Sequence, residues 1–257
     1  MADVRMTFLE HLGELRTRLI RCLWAIGIGA AIACWFSPEL FHVLMAPVLA
    51  ALPKGAQKLH PTAVMEKFTV YLKVGLYGGI FLASPAILYQ LWQFVAPALY
   101  QKEKKRVIPF VVAGTVFFIG GALFCYFVVL PAALGYLIGV GSADDASWVE
   151  PWLSMSDQLT FVLAMELAFG VVFEMPLIIT ALSMVGLVDG KWLAKNRRYA
   201  ILVNTILAAI ITPTGDPLNL AIMAVPMCLM YEVGIWGARV FGKPRATVEI
   251  SGAQPTG

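Results

Sequence analysis

The stretch that decides the fold lies near the N-terminus, where residues 8–36 read FLEHLGELRTRLIRCLWAIGIGAAIACWF. Its first part, as far as Arg21, carries acids and arginines beside apolar residues that recur at helical spacing. Its second part, residues 19–36, holds one charge and is long enough to cross a hydrocarbon core. We therefore predict an amphipathic helix that continues directly into a first membrane span.

The composition of the whole chain agrees with that reading. Of its 257 residues 60% are hydrophobic and only 14% are charged, and the mean hydropathy is +0.78. A soluble domain of this length could not cover so much apolar surface, so we predict an all-α polytopic membrane protein whose surroundings are a lipid bilayer. The net charge of +3 is too small to indicate a nucleic-acid partner. The four cysteines lack metal-site spacing, and we predict neither a metal nor a cofactor.

Six apolar runs are separated by turn residues and charged loops. We predict membrane spans at about 19–36, 70–94, 107–130, 158–185, 199–211 and 218–236. Pro47 falls in the long loop after the first span, and Pro131 is expected to open the long loop after the third span. The fifth run rises only about 20 Å as a helix, against about 30 Å of hydrocarbon, so either the bilayer thins locally or the short fifth and sixth helices form a shallow hairpin. Residues 1–242 should be one membrane domain, followed by a polar, disordered tail at 243–257.

Lysine and arginine are distributed very unevenly between the two sets of loops. The N-terminus, the second loop (between spans two and three) and the fourth loop (between spans four and five) hold four basic residues each. The C-terminal tail holds three more, which makes 15 of the 19. Only Lys54, Lys58, Lys67 and Lys73 are left for the other side. Cytoplasmic loops are the positive ones, so both termini are predicted in the cytosol.

Two acids stand at that predicted cytosolic face. Glu14 can pair with Arg18 one helical turn on, and Glu103 lies among four basic residues in the second loop. Either acid could simply belong to a solvated, charge-balanced surface. Together they could instead hold a doubly cationic peptide, with arginine favoured over lysine because a guanidinium binds a carboxylate bidentately.

Carboxylates also occur inside the apolar runs, at Glu166, Glu174 and Glu232. Ionisable groups at membrane depth usually face a protein interior or a water-filled cavity. Glu174 precedes Met175-Pro176 and could face a polar concavity, or it could lock helix packing as a hydrogen-bonded carboxyl. Glu232 approaches the end of the last run and can reach the interface.

Four stretches of the sequence form a specific combination: FLEHLGELRTRL (8–19), PAILYQLWQFVAPAL (85–99), FGVVFEMP (169–176) and the turn TPTGDP (212–217). Taken together, these motifs resemble the TatC family of the twin-arginine protein translocase. The resemblance implies a cup- or glove-shaped bundle of six helices with a concave face in the membrane. It also implies a location in the bacterial inner membrane and transport of folded proteins by the proton-motive force without ATP.

Site residues and partners follow from the same resemblance. Glu14 and Glu103 would receive the paired arginines of a signal peptide, and Arg16, Phe94 and Pro47 match positions linked to that function. Glu174 matches the polar residue of the concave pocket, and Asp216 belongs to the matching turn. Glu166 is an additional carboxylate, which we take to tune hydration beside Glu174. Partners would be single-span proteins of the TatA and TatB type, and we also expect further copies of the chain itself.

Two other functions stay open on the residues alone. A proton-coupled carrier of small solutes is suggested by Glu174 and the proline-containing spans. A membrane enzyme using Glu166 and Glu174 as acid and base would need a nucleophile or metal constellation, and the sequence offers neither pattern. The leading interpretation is therefore a binding protein without catalytic activity.

Overall fold

A computed structural model describes residues 8–52, 59–99, 107–142, 153–211 and 217–242. Within those ranges the chain is helical apart from short connections and one isolated bridge between His60 and Ser154. The predicted tail at 243–257 lies outside the described residues, as does the turn at 212–216. The observed architecture is the all-helical, six-span bundle that the sequence predicts.

Ten α-helices and one π-helical segment make up the described chain. They are α1 (Phe8–Trp35), α2 (Ser37–Ala51), α3 (Glu66–Leu99), α4 (Val107–Phe124), the π-helical segment (Cys125–Val129), α5 (Leu130–Ser142), α6 (Met155–Phe173), α7 (Met175–Met184), α8 (Gly190–Lys195), α9 (Arg197–Ile211) and α10 (Pro217–Phe241). Five continuous rods are long and apolar enough to cross a membrane: α1, α3, α4 through α5, α6 through α7, and α10.

The last two helices differ in length. Helix α9 has 15 residues and rises about 22 Å, so it is short, as the sequence predicts. Helix α10 has 25 residues and is longer than predicted, since it continues five residues past Trp236. Its extension packs on α7 and α8: a Cβ on Gly237 would meet the Thr180 hydroxyl, and one on Gly190 would lie 2.7 Å from Arg239. These contacts hold the final turns in place beyond the apolar run.

Helices α1 and α3 form the most extensive helix pair, and glycines let their backbones meet. A Cβ on Gly79 would lie 2.5 Å from the Ala30 nitrogen, and one on Gly29 would lie 2.7 Å from the Gly79 carbonyl oxygen. Small residues at such crossings are how membrane helices pack without a hydrophobic driving force. This pair carries the candidate site described below.

Pro47 lies inside helix α2 and is buried, so its placement in a loop is wrong. A proline has no N–H for the carbonyl four residues earlier, which here belongs to Val43. The Tyr126 hydroxyl, from the π-helical segment, donates to that carbonyl over 2.8 Å. A side chain from another helix thus replaces the bond that the proline removes, and α2 can stay helical.

Two further prolines are accommodated in related ways. Pro85 leaves the Phe81 carbonyl without its helical donor, and the Ser84 hydroxyl donates to it over 2.8 Å, so α3 is continuous. Pro131 does not open a loop, and that expectation is wrong: the helical rod runs on to Ser142. The five-residue π-helical segment lies directly before it, and the wider turn relieves the clash of the proline ring with the preceding turn.

The segments that precede α3 and α6 are joined by one carboxylate, Glu66, which is 7% exposed. One of its oxygens accepts from the Ser156 N–H over 2.7 Å and from the Ser154 hydroxyl over 3.2 Å. The other accepts from the Thr62 N–H, from the Thr62 hydroxyl over 2.8 Å and from the Ala63 N–H over 3.2 Å. We call these five donors and Glu66 the Glu66 clamp.

Seven residues further along α3, Lys73 contacts α6 as well. Its ammonium group donates to the hydroxyls of Ser156 and Thr160 over 3.1 and 2.9 Å. Two charged residues of α3 therefore bind the first turns of α6. The main apolar core lies beneath them, around Met45, Val74, Leu159 and Leu163.

Candidate functional site

The candidate site lies where the first part of α1 crosses the last part of α3. Glu14 and Arg18 are one helical turn apart on α1, and they form the ion pair that the sequence predicts. Arg18 donates through Nε and Nη2 to the same oxygen, Oε1 of Glu14, over 3.0 and 2.5 Å. The two side chains are only 23% and 15% exposed, so water screens this pair less than it would screen a surface pair.

Helix α3 holds the other side of the guanidinium. Nη1 of Arg18 donates to the side-chain oxygens of Gln93, over 2.8 Å, and of Gln90, over 3.3 Å. Gln93 in turn donates to the Tyr89 hydroxyl over 2.5 Å. Because these residues are three or four apart, they share one face of α3. We call Glu14, Arg18, Gln90 and Gln93 the α1–α3 polar cluster.

One atom of this cluster has no partner. Oε2 of Glu14 is inaccessible to solvent and has no hydrogen-bond partner within the described parts of the chain. A buried carboxylate oxygen without a donor is costly, and native proteins keep few such atoms. The arrangement can therefore accept one more donor, and a cationic donor best, because half of the carboxylate is left unpaired.

The other predicted members of the site stand in different places relative to this atom. Arg16 is exposed and lies two residues after Glu14, about 200° further around the helix, so it projects from the other side of α1. Phe94 follows Gln93 and is half-buried. Glu103 lies outside the described residues, and so does Asp216. The structure thus brings Arg18, rather than Arg16, to Glu14.

Glu174 lies where α6 ends and α7 begins. It ends the first helix and precedes the second, and Pro176 occupies one of the first two positions of α7, where its missing N–H is tolerated. Glu174 is buried, and neither of its oxygens has a hydrogen-bond partner among the described residues. Its Oε2 lies 3.1 Å from the point where a Cβ on Gly114 would be, so the carboxyl occupies space that this glycine of α4 leaves free.

Glu166 is also buried, about 12 Å earlier along the same rod. Helix α6, which carries Glu166, packs on both α4 and the π-helical segment. The two acids therefore lie about two helical turns apart on the α6–α7 rod, and Glu174 is the one that approaches Gly114 of α4.

A groove lies between α9 and α10. It has a volume of about 550 Å³ and is mostly apolar, with the polar side chains of Asn204 and Thr205 in its wall. At one end Arg197 and Glu232 form a two-pronged ion pair with both nitrogen–oxygen distances at 2.7 Å. This pair ties the short helix to the long one and bounds the groove.

Sequence reasoning missed the two glutamines and the Glu66 clamp. Gln90 and Gln93 stand three apart in an otherwise apolar run, and that spacing was the signal that could have found them. Glu66 offered a weaker signal, because only the donors on Thr62 and Ala63 are local and the other two come from a segment about ninety residues away.

The chain is similar to known proteins over nearly its whole length. Residues 10–226 match the family described as Sec-independent protein translocase protein (TatC). A curated protein of that name from Desulforapulum autotrophicum is 44% identical over 98% of this chain and 91% of its own length. Another from Aquifex aeolicus is 38% identical over 95% of this chain and 99% of its own length.

Solved structures agree with the sequence matches. A crystal structure described as the twin arginine translocase receptor TatC superposes with a TM-score of 0.79 at 39% identity, covering 90% of this chain and 99% of the other. A second, of the same receptor in the detergent DDM, superposes with a TM-score of 0.80.

Proposed function

Because the chain belongs to the TatC family of Sec-independent protein translocase proteins, we propose that it binds twin-arginine signal peptides at the α1–α3 polar cluster. As a member of that family it is a translocase component and a multi-pass protein of the bacterial inner membrane. The relatives are Sec-independent protein translocase proteins, so we set aside the solute carrier that the sequence also permitted.

The single observation that carries the peptide-binding proposal is the unpaired oxygen of Glu14. Its neighbour Oε1 already holds a guanidinium, that of Arg18, so the cluster is built to accept this group. A second guanidinium at Oε2 would pair the remaining half of the carboxylate through charge-assisted hydrogen bonds, which are about twice as strong as neutral ones. Glu103, with Arg16 and Phe94, would complete a site for two adjacent arginines, as the family resemblance implies.

Binding of a labelled signal peptide to the protein in nanodiscs tests this proposal. A peptide with paired arginines should bind at least about tenfold more tightly than its twin with paired lysines, and Glu14→Gln or Glu103→Gln should abolish that preference. Glu39→Gln is the matched control, because Glu39 is an exposed acid near the opposite end of α1. Equal binding of the two peptides by a folded wild-type protein would refute the proposal.

We further propose that both termini face the cytosol. The support is the distribution of basic residues, 15 of 19 in the N-terminus, the second and fourth loops and the tail. In this orientation the α1–α3 polar cluster faces the compartment where cargo is made. In a background whose four native cysteines are replaced by alanine, a cysteine introduced near residue 245 should react with a membrane-impermeant thiol reagent only in inside-out vesicles; reaction in right-side-out vesicles would contradict the orientation.

Partners of the TatA and TatB type, each with one membrane span, would assemble with the protein to form the translocation site. The proton-motive force would drive transport without ATP. We assign the partner contact to the groove between α9 and α10, because polar residues such as Asn204 and Thr205 are typical of helix–helix contacts in membranes. Thr205→Trp, which fills the groove, should reduce co-purification of such a partner. Leu202→Trp, on an exposed face of α9, should not, and equal recovery with both variants would refute the assignment.

The acids of the α6–α7 rod belong to the same proposal. Glu174 would line the concave face within the membrane, and Glu166 would tune hydration beside it. The support is the burial of Glu174 without a hydrogen-bond partner among the described residues, and the position of Glu166 on the same rod. Glu174→Leu should preserve the fold and lower transport of a folded cargo, whereas normal transport and partner binding by Glu166→Leu would remove Glu166 from this role.

A further inference from the structure

Arg18 joins two helices through one side chain. Three of its guanidinium nitrogens donate at once, two to Glu14 on α1 and one to the glutamines of α3. It is 15% exposed, whereas Arg21, one turn further along α1, is exposed. An arginine that served only to mark the positive side of the membrane would not need four such contacts.

These contacts determine how Glu14 is presented. Both bonds from Arg18 go to Oε1, so the carboxylate is held in one orientation and Oε2 is left with no partner among the described residues. Gln90 and Gln93 hold the guanidinium from the opposite side, so Arg18 cannot easily swing to Oε2. A carboxylate fixed in this way loses less conformational freedom when a ligand binds than a free glutamate would.

We propose that Arg18 is a positioning residue for signal-peptide recognition: anchored by Gln90 and Gln93, it occupies one oxygen of Glu14 and keeps the other, which is shielded from solvent in this structure, for an arginine that displaces the surrounding side chains as it binds. The inference rests on the proposed peptide-binding function and adds a residue to it. Because Arg18 neutralises much of the charge of Glu14, attraction for any cation is weakened. Selectivity then depends on hydrogen-bond geometry, which favours a planar guanidinium over the point charge of a lysine.

The proposal predicts the opposite sign from simple electrostatics. If Arg18 contributed only positive charge, its removal would lower repulsion and strengthen binding of a cationic peptide. If it positions Glu14, its removal weakens binding and erases the preference for paired arginines. A purely structural role in the bundle would change stability and leave the arginine-to-lysine preference of the folded protein intact.

The experiment measures binding of the paired-arginine and paired-lysine peptides to the protein in nanodiscs. Arg18→Gln should bind the arginine peptide about tenfold more weakly than wild type, with the preference reduced to within about twofold. Arg18→Lys should behave similarly, because an ammonium group cannot span two helices with a fixed fork. Arg21→Gln removes the same charge from an exposed position and should bind as wild type does, or slightly more tightly.

A second variant keeps every charge and guards against a folding defect. Gln90→Leu combined with Gln93→Leu leaves the Glu14–Arg18 pair but frees the guanidinium from α3. It should weaken binding of the arginine peptide and lower the preference in the same direction as Arg18→Gln. If Arg18→Gln does not fold, this double variant decides the question.

The outcomes separate the proposed function from the role of Arg18. A wild-type protein with no preference for paired arginines overturns the proposed function, and the role of Arg18 falls with it. A wild-type preference that Glu14→Gln abolishes, but that survives both Arg18→Gln and the double glutamine variant, overturns the role of Arg18 alone. Loss of the preference in Glu14→Gln, Arg18→Gln and the double variant, with Arg21→Gln unchanged, supports it.

Discussion

Helix α3 carries a carboxylate contact near each end, and the two are satisfied to different degrees. At its start, Glu66 receives five donors, and both of its oxygens are paired. About 40 Å away, Gln90 and Gln93 meet Arg18, whose partner Glu14 uses one oxygen and has no partner for the other among the described residues. One end of the helix is chemically complete, and the other has room for a donor.

This difference distinguishes a carboxylate that stabilises the fold from a carboxylate that can bind a ligand. A buried carboxylate with all its lone pairs engaged stabilises the fold and has no capacity for a ligand. A carboxylate with one fixed oxygen and one oxygen that lacks a donor costs stability, and a cation that reaches it can supply the missing donor. Four substitutions test or extend this contrast, from the largest expected effect on stability to the smallest.

Glu66→Leu should give the largest loss of thermal stability of the four. It removes the acceptor of the Ser156 and Ala63 N–H groups and separates the segments that precede α3 and α6. Thermal unfolding in detergent, followed by circular dichroism, measures the effect, and Glu39→Gln serves as the exposed-acid control. A midpoint equal to that of wild type would show that the clamp does not hold the fold.

Gly79→Ala should give the second-largest loss of stability, and it should also affect the α1–α3 polar cluster. The added methyl would lie 2.5 Å from a backbone nitrogen of α1, and overpacking of this kind costs about 1–3 kcal/mol. Because α1 and α3 carry Glu14 and its glutamine anchors, peptide binding should weaken as well. Gly27→Ala, where nothing lies within 4 Å, should be neutral or stabilising by up to about 1 kcal/mol.

Comparison of Gly79→Ala with Gly27→Ala can contradict this prediction. If Gly79→Ala and Gly27→Ala change unfolding and peptide affinity equally, close contact between the two helices does not position the site.

Tyr126→Phe should have an effect of about 1 kcal/mol, because it removes the hydroxyl that bonds the Val43 carbonyl. The Val43 carbonyl accepts this bond because Pro47, four residues further along α2, has no N–H to donate to it. In a Pro47→Ala background the backbone can make its own hydrogen bond, so the same change should cost little. A double-mutant cycle of unfolding free energies measures the coupling, and additive effects would contradict the link.

Arg197→Gln should have the smallest effect. Its partner Glu232 and Arg197 itself are each 46% exposed, and exposed ion pairs contribute less than about 1 kcal/mol. The unfolding midpoint should therefore move much less than in Glu66→Leu. An equally large shift in the two variants would mean that the number of paired donors does not distinguish these carboxylates.

Periodicity and loop charge predicted the six-helix class and the short α9, because apolar length and turn residues are local properties. They did not predict what happens at Pro47 and Pro131. A proline ends a helix only if nothing replaces its missing bond or relieves its clash. At Pro47 the replacement comes from Tyr126, which is 79 residues away, and at Pro131 the relief comes from a π-helical turn.

The candidate site was predictable in part for the same reason. The Glu14–Arg18 pair follows from a spacing of four on one helix and is confirmed. The anchoring of Arg18 by Gln90 and Gln93, and the unpaired oxygen that results, depend on how α1 crosses α3. That crossing is set by glycines whose role is visible only when both helices are seen together.

The most direct test of the contrast measures unfolding and peptide affinity together for Glu14→Gln and Glu66→Gln. The two substitutions make the same chemical change, one at each kind of carboxylate. We predict that Glu14→Gln keeps its unfolding midpoint and loses paired-arginine peptide binding, whereas Glu66→Gln loses stability and, while folded, binds the peptide normally. If Glu14→Gln instead binds the peptide as wild type does, the unpaired oxygen is not the receptor, and the central claim is wrong.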